Sequence, residues 1–188
     1  MRDEYARYLL SLHSRNAPIY AVVDGASYDN LPEILWRGDF KSKSLYLDRG
    51  DNDPEQIVTA PHLVVLDEMP FEAGRRSSTE TLAALFDALG STSGVVFWHG
   101  VKSAEHLFKH LRGLNVIHIP IDTLATDDQA HIAETSVPVL FRHADANALA
   151  QVITSVNVDE ASRLMGPAST LVCQPDVHWC KGLPFLHM

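Results

Sequence analysis

Four short runs set the limits on what this chain can fold into: Ile19 to Val23, His62 to Leu66, Val95 to Trp98 and Val139 to Arg142. Each is β-prone, and most are apolar without the polar alternation of a strand that turns one face to water. Strands of that kind belong to a sheet covered on both faces. Helical segments lie between them, so the expected fold class is α/β: a largely parallel or mixed sheet flanked by helices, in a single compact lobe.

The helices announce themselves through apolar stripes and caps. Asp3 to His13 places Tyr5, Tyr8, Leu9 and Leu12 on one face. Leu31 to Arg37 has Asn30 as a cap, Pro32 in its first turn and Gly38 to end it. Ser78 to Leu89 presents Leu82, Leu85, Phe86 and Leu89, with Ser78 or Thr79 as cap and Gly90 as stop. After the strand ending at Trp98, Gly100 turns the chain and Ser103 caps a helix carrying Leu107, Phe108, Leu111 and Leu114. Asp145 caps a helix over Ala146 to Val156, and a short helix is expected over Asp159 to Leu164. Ser44 to Leu47 and Val116 to Ile121 read as edge strands, the latter interrupted by Pro120, and Ser169 to Cys173 as a final strand. Asp48 to Gln56 reads as a surface loop, and Asp122 to Thr135 as a loop with some helix. The expected division is a core domain over 1–156 and a C-terminal appendage over 157–188, the latter a reduced C-terminal lobe.

At 188 residues the chain has the length of about one domain. Its formal net charge of −9 argues against nucleic acid and against an anionic membrane surface as partners, since both require a basic patch. Cys173 and Cys180 match no common zinc spacing and do not make a disulfide framework. The charged N-terminus lacks an apolar core of signal-peptide length, and no run approaches the roughly 20 apolar residues of a membrane span. A cytoplasmic location is expected.

The chemistry-bearing residues point in two directions. His99, His106 and His110 cluster around one strand and helix, and His106 and His110, four apart, share a helical face. Leu107 stands where a zincin would carry its Glu, so that motif fails, and these histidines are expected to brace the fold or face a partner. Asp24, Asp67 and Asp145 follow or neighbour strand ends, where open α/β folds bind ligands, although Asp145 is also a natural helix cap. No G-x-S-x-G, P-loop or G-x-G-x-x-G is present, and Trp36, Trp98 and Trp179 read as core or interface anchors. No metal and no cofactor is implied.

Four motifs follow one another along the chain: Tyr20-Ala21-Val22-Val23-Asp24, then Ala60-Pro61-His62-Leu63-Val64-Val65-Leu66, then Gly94-Val95-Val96-Phe97 with His110-Leu111-Arg112, and last Phe141-Arg142-His143-Ala144-Asp145. Taken in that order they resemble the type VI secretion effector chaperone (adaptor) family, a domain of unknown function found beside VgrG spike and effector genes. The match runs from about Ile19 to Val156. Where the family usually has an aromatic and Asp-Pro-Arg after the arginine, this chain has His143-Ala144-Asp145-Ala146-Asn147.

The resemblance implies a non-enzymatic cytoplasmic chaperone or adaptor that binds an effector toxin and helps load it onto the VgrG spike. On that reading the partner-binding or structural residues are Asp24, Trp98, His99, His110, Arg142 and Asp145, with Arg142 pairing to Asp24, to Asp145 or to a carboxylate of the partner. Two other functions are compatible with the residues: a small metal-dependent hydrolase using the histidine cluster, and an immunity protein that neutralises a toxin.

Overall fold

The central strand, β1 (Ile19–Val23), is buried along its whole length and carries a neighbour on each side. β3 (His62–Val65) lies on one side, with Tyr20 opposite Val65 and Val23 opposite His62. β4 (Val95–His99) lies on the other, with Ile19 opposite His99 and Val23 opposite Val95. β2 (Ser42–Ser44) extends the sheet beyond β3; β7 (Thr170–Cys173) and β8 (Leu186–His187) extend it beyond β4. The order is β2-β3-β1-β4-β7-β8, and every pairing is antiparallel. The computed structural model describes residues 2–12, 18–46, 54–66, 76–114, 116–120, 135–176 and 185–188. The stretches expected as loops at Asp48 to Gln56 and Asp122 to Thr135 fall mostly outside these.

The expectation of a largely parallel or mixed sheet is therefore corrected. An unbroken apolar strand reports that both faces are covered; it carries no information about direction. Direction is set by where each connection returns. The chain leaves β1 at Val23, forms the edge strand β2 on its way, and enters β3 at His62, directly opposite Val23, so the connection from β1 to β3 starts and ends at the same end of the sheet. From β3 the chain passes through α4 (Ser78–Leu89) to β4, which runs the same way as β3. In sequence this looks like a β-α-β unit with adjacent parallel strands. In the fold β1 lies between the two, and each pairs with it antiparallel. The fourth apolar run also lies elsewhere: β6 (Ser136–Leu140) pairs with β5 (Val116–Pro120) in a separate two-stranded ribbon.

Alternation along β1 feeds two cores. Ile19, Ala21 and Val23 join a cluster built with α1 (Arg2–Leu12), α2 (Leu31–Arg37) and α4, centred on Tyr5, Leu35, Phe86 and Phe97. Tyr5 touches the rings of Phe86 and Phe97 at 5.7 and 5.8 Å between centroids. Tyr20 and Val22 join the opposite cluster, with Trp98, Leu107, Leu111 and Leu149, under α5 (Ala104–Gly113), α6 (Ala146–Ile153) and α7 (Val158–Met165). Full burial of each large side chain stabilises the fold by roughly 1.5–3 kcal/mol, which is why a strand with no polar face is tolerated here. A short helix, α3 (Pro54–Thr59), precedes β3. No helix among the described residues is long and apolar enough to cross a membrane.

The caps follow the local rules. Asn30 accepts from the Glu33 N–H, Ser103 from the His106 N–H, and Asp145 from the Asn147 and Ala148 N–H groups. α4 is capped one residue earlier than expected, by Ser77 in a reciprocal box with Glu80.

Candidate functional site

Asp24 follows the last residue of β1. Its N–H donates to the Gly94 carbonyl at 2.9 Å, which ties this strand end to the chain entering β4. The backbone then turns into a single 3-10 turn, Gly25–Ser27, and the Asp24 carboxylate is left buried, at 5% side-chain exposure. It accepts from the Ser27 hydroxyl at 2.7 Å and from Nη2 of Arg142.

Arg142 comes from the other end of the sequence but is fixed from both flanks. Phe141 before it is anchored in the second core, and its own carbonyl accepts from the Asp145 N–H at 3.0 Å. Its Nη1 reaches Asp145 Oδ2 at 3.3 Å while Oδ1 of the same carboxylate caps α6, at 2.8 Å from the Asn147 nitrogen. α6 itself is tethered to the β4 end by the Ala146 N–H donating to Ser93, at 2.8 Å. One guanidinium fork thus bridges two carboxylates, one from the end of β1 and one from the positive end of a helix. Burial pulls the Arg142 pKa down; the hydrogen bond and charge of Asp24, then the charges of Asp145 and Tyr46, outweigh it and raise it. With 43% of its side chain exposed, the guanidinium is oriented and still reachable. It opens onto a cleft of about 100 Å³ walled by Ala26, Tyr46, Pro61, Leu140 and Phe141.

The structure brings Asp24, Arg142 and Asp145 together and places Trp98, His99 and His110 elsewhere. Trp98 is fully buried in β4, with the His110 ring edge-on at 6.0 Å. His110 Nε2 lies 2.9 Å from the Leu164 carbonyl, and the ring fills the space over Gly166, so it fastens α5 to the end of α7. His99 is at the far end of β4 from Asp24, about 13 Å along the strand from Val95. Its Nδ1 sits 3.3 Å from the Ser169 hydroxyl. His106 is exposed on α5. Among the described residues no three His, Cys, Asp or Glu side chains form a group able to hold a metal ion.

Sequence reasoning missed His143. It is 1% exposed, between Phe141, whose ring centroid is 6.2 Å away, and the charged cluster. Burial first, and the His110 charge second, lower its pKa to about 4, against an upward pull from Asp24. Tyr28, beyond the 3-10 turn, is raised to about 12 by burial and then by Asp24. Leu140 also walls the cleft, where its place in an apolar run predicts a buried strand residue.

By its fold and its cluster the chain is a helix-flanked antiparallel-sheet domain that displays a fixed arginine at the end of its central strand. The family described as domain of unknown function (DUF4123) matches residues 19–163, most of the chain, and the chain belongs to that family. The matched span starts at the first residue of β1 and ends inside α7. No curated protein and no solved structure matches the chain.

Proposed function

We propose that the protein is a non-enzymatic chaperone or adaptor that binds a type VI secretion effector and helps load it onto the VgrG spike. Membership of the family and the order of the motifs support this reading. The first motif ends in Asp24 and the last contains Arg142 and Asp145, and these three residues form one ion-paired cluster. The observation that carries the reading is the state of Arg142: two carboxylates hold it, it is nearly half exposed, and the cleft beside it has apolar walls. A guanidinium with two of its five N–H groups committed keeps donors for a partner's backbone or side-chain acceptors, and little orientational entropy is lost when they bind. The apolar walls add contact area around that anchor.

Co-expression of the chain with the effector and VgrG proteins encoded beside it tests the proposal. The expected outcome is an effector that co-purifies with the chain and stays in solution only in its presence. An effector equally abundant and equally folded without the chain, and never retained by it, would remove the basis for the reading.

A further inference from the structure

The two edges of β7 are closed very differently. On the inner edge all four of its residues pair with β4. On the outer edge β8 sets His187 opposite Val172 and Leu186 opposite Cys173, and the Leu171 and Met188 backbones exchange two hydrogen bonds of 3.0 Å. That pairing starts at Leu171, so Thr170 at the head of β7 lies beyond it. Leu171, Val172 and Cys173 are buried, whereas Phe185, Leu186 and Met188 are only partly buried and His187 is exposed.

The side chains of 185–188 alternate between two walls, as those of extended chain do. Phe185 and His187 meet α1: the Phe185 ring centre lies 4.7 Å from that of Tyr8 and 5.5 Å from that of Tyr5, and the His187 ring centre lies 5.5 Å from that of Tyr8. Leu186 and Met188 pack against the second core. The edge of β7 is thus a strand-shaped slot with a backbone ladder, an aromatic wall and an aliphatic wall, and the chain's own residues show what fits it. The ladder and the aromatic wall lie outside the family match, α1 before residue 19 and β7 after residue 163. The slot is therefore an addition to the matched fold.

We propose that this slot docks an extended apolar segment of the protein partner, which adds to β7 as a strand in place of 185–188, with an aromatic side chain on Tyr8 and an aliphatic one on the opposite wall. The proposal rests on the partner-binding reading above and specifies the segment that is bound. In strand addition the main-chain bonds supply affinity and the alternate side chains supply selectivity. The occupant displaces a segment tethered to the same chain, whose local concentration is high. It gains over that segment by length, because it continues past Leu171 to Thr170. Until it arrives, 185–188 keeps the edge from pairing indiscriminately. A second copy is the weaker candidate: residues 174–185 join two adjacent antiparallel strands that about 2–5 residues would close, so no short hinge drives an exchange between copies.

The test is fluorescence anisotropy of the full chain with a labelled peptide of about ten residues, Phe-Leu-His-Met at its centre and alternating Thr and Val on either side. Two altered peptides are measured beside it. One has Pro for the Met and cannot donate to the Leu171 carbonyl; the other has Ser for the Phe and the His. Each should bind about tenfold or more weakly, a difference of about 1.4 kcal/mol. Phe185→Ser loosens the chain's own strand and should tighten binding of the first peptide about tenfold; adding Tyr8→Ala should remove that gain. Melting temperatures check that the variants are folded. Hydrogen exchange of the unaltered chain needs no variant: the Met188 amide should exchange about tenfold or more faster once the first peptide is saturating, while the Leu171 amide stays protected. Equal binding of the Pro peptide, no gain in folded Phe185→Ser, or a Met188 amide that the peptide leaves protected would overturn the proposal. So would a dimer of the unaltered chain that the peptide returns to monomer, since the slot would then belong to a second copy. If an effector co-purifies but the peptide never binds, the slot is wrong and the adaptor reading stands. If the peptides behave as expected but no effector is retained, the slot stands and the adaptor reading is wrong.

Discussion

At neutral pH the buried His143 imidazole is uncharged, because burial, then the nearby His110, hold its pKa near 4 against the pull of Asp24. In the unfolded chain the same group titrates at its ordinary value of 6.5. Between those values the unfolded state binds the extra proton, so stability is complete above pH 6.5 and falls as pH drops toward 4. The loss from this residue is on the order of 3 kcal/mol. His62, lowered by burial against an opposing hydrogen bond to Ala60, adds a smaller loss of the same sign. Urea midpoints measured from pH 7 downward should fall steeply, and His143→Gln should flatten that slope; an unchanged slope would mean His143 is not held neutral. Arg142→Met leaves the Asp24 carboxylate buried, accepting from the Ser27 hydroxyl but without its guanidinium. Half-exposure of the arginine discounts the usual buried-pair penalty, so the expected destabilisation is about 1–3 kcal/mol at neutral pH, read from chemical denaturation. Arg142→Lys should restore part of the stability, since it keeps one charge and loses the fork that reaches both carboxylates.

Helix ends and one tight turn fix how the elements meet. Gly166 ends α7 at φ +52, and a Cβ there would overlap the His110 ring that joins α5 to α7. Gly166→Ala is expected to cost about 1–3 kcal/mol, from backbone strain and from displacement of that ring. Gly25 sits where a Cβ would run into the backbone of Thr59 and Ala60, so Gly25→Ala should be worse, because backbone cannot rotate away as a side chain can. Thermal melts of the two variants give the ranking directly. The elements that the sequence made legible are those with local causes: Leu31–Arg37 between Asn30 and Gly38, the Ser103 cap and the Asp145 cap. Strand direction was not legible, since it depends on β1 entering between β3 and β4, an event that no stretch of neighbouring residues encodes. The site was partly legible. Asp24, Arg142 and Asp145 could be read as polar residues at strand and helix ends, but the cleft could not, because Leu140 in sequence looks like any buried strand residue. Trp98 is the core anchor that the sequence suggested, and the His110 ring packs edge-on against it.

The whole molecule divides its work between a sheet buried on both faces and a surface assembled where that sheet ends. The edge strands β2 and β8 are three and two residues long, which leaves little exposed ladder for unwanted pairing. β7, from the C-terminal stretch, lies against β4 with Leu171, Val172 and Cys173 buried, so the sheet draws on residues well beyond the end of the family match. That surface carries one arginine fixed by two carboxylates beside a cleft with apolar walls. The most direct measurement is titration calorimetry of the purified chain against a purified candidate effector, the partner proposed above, with wild type and Arg142→Met compared at neutral pH. The account predicts a saturable complex that Arg142→Met weakens by about tenfold or more. A wild-type chain that releases no heat and forms no complex with any folded effector encoded in its genomic neighbourhood would contradict it.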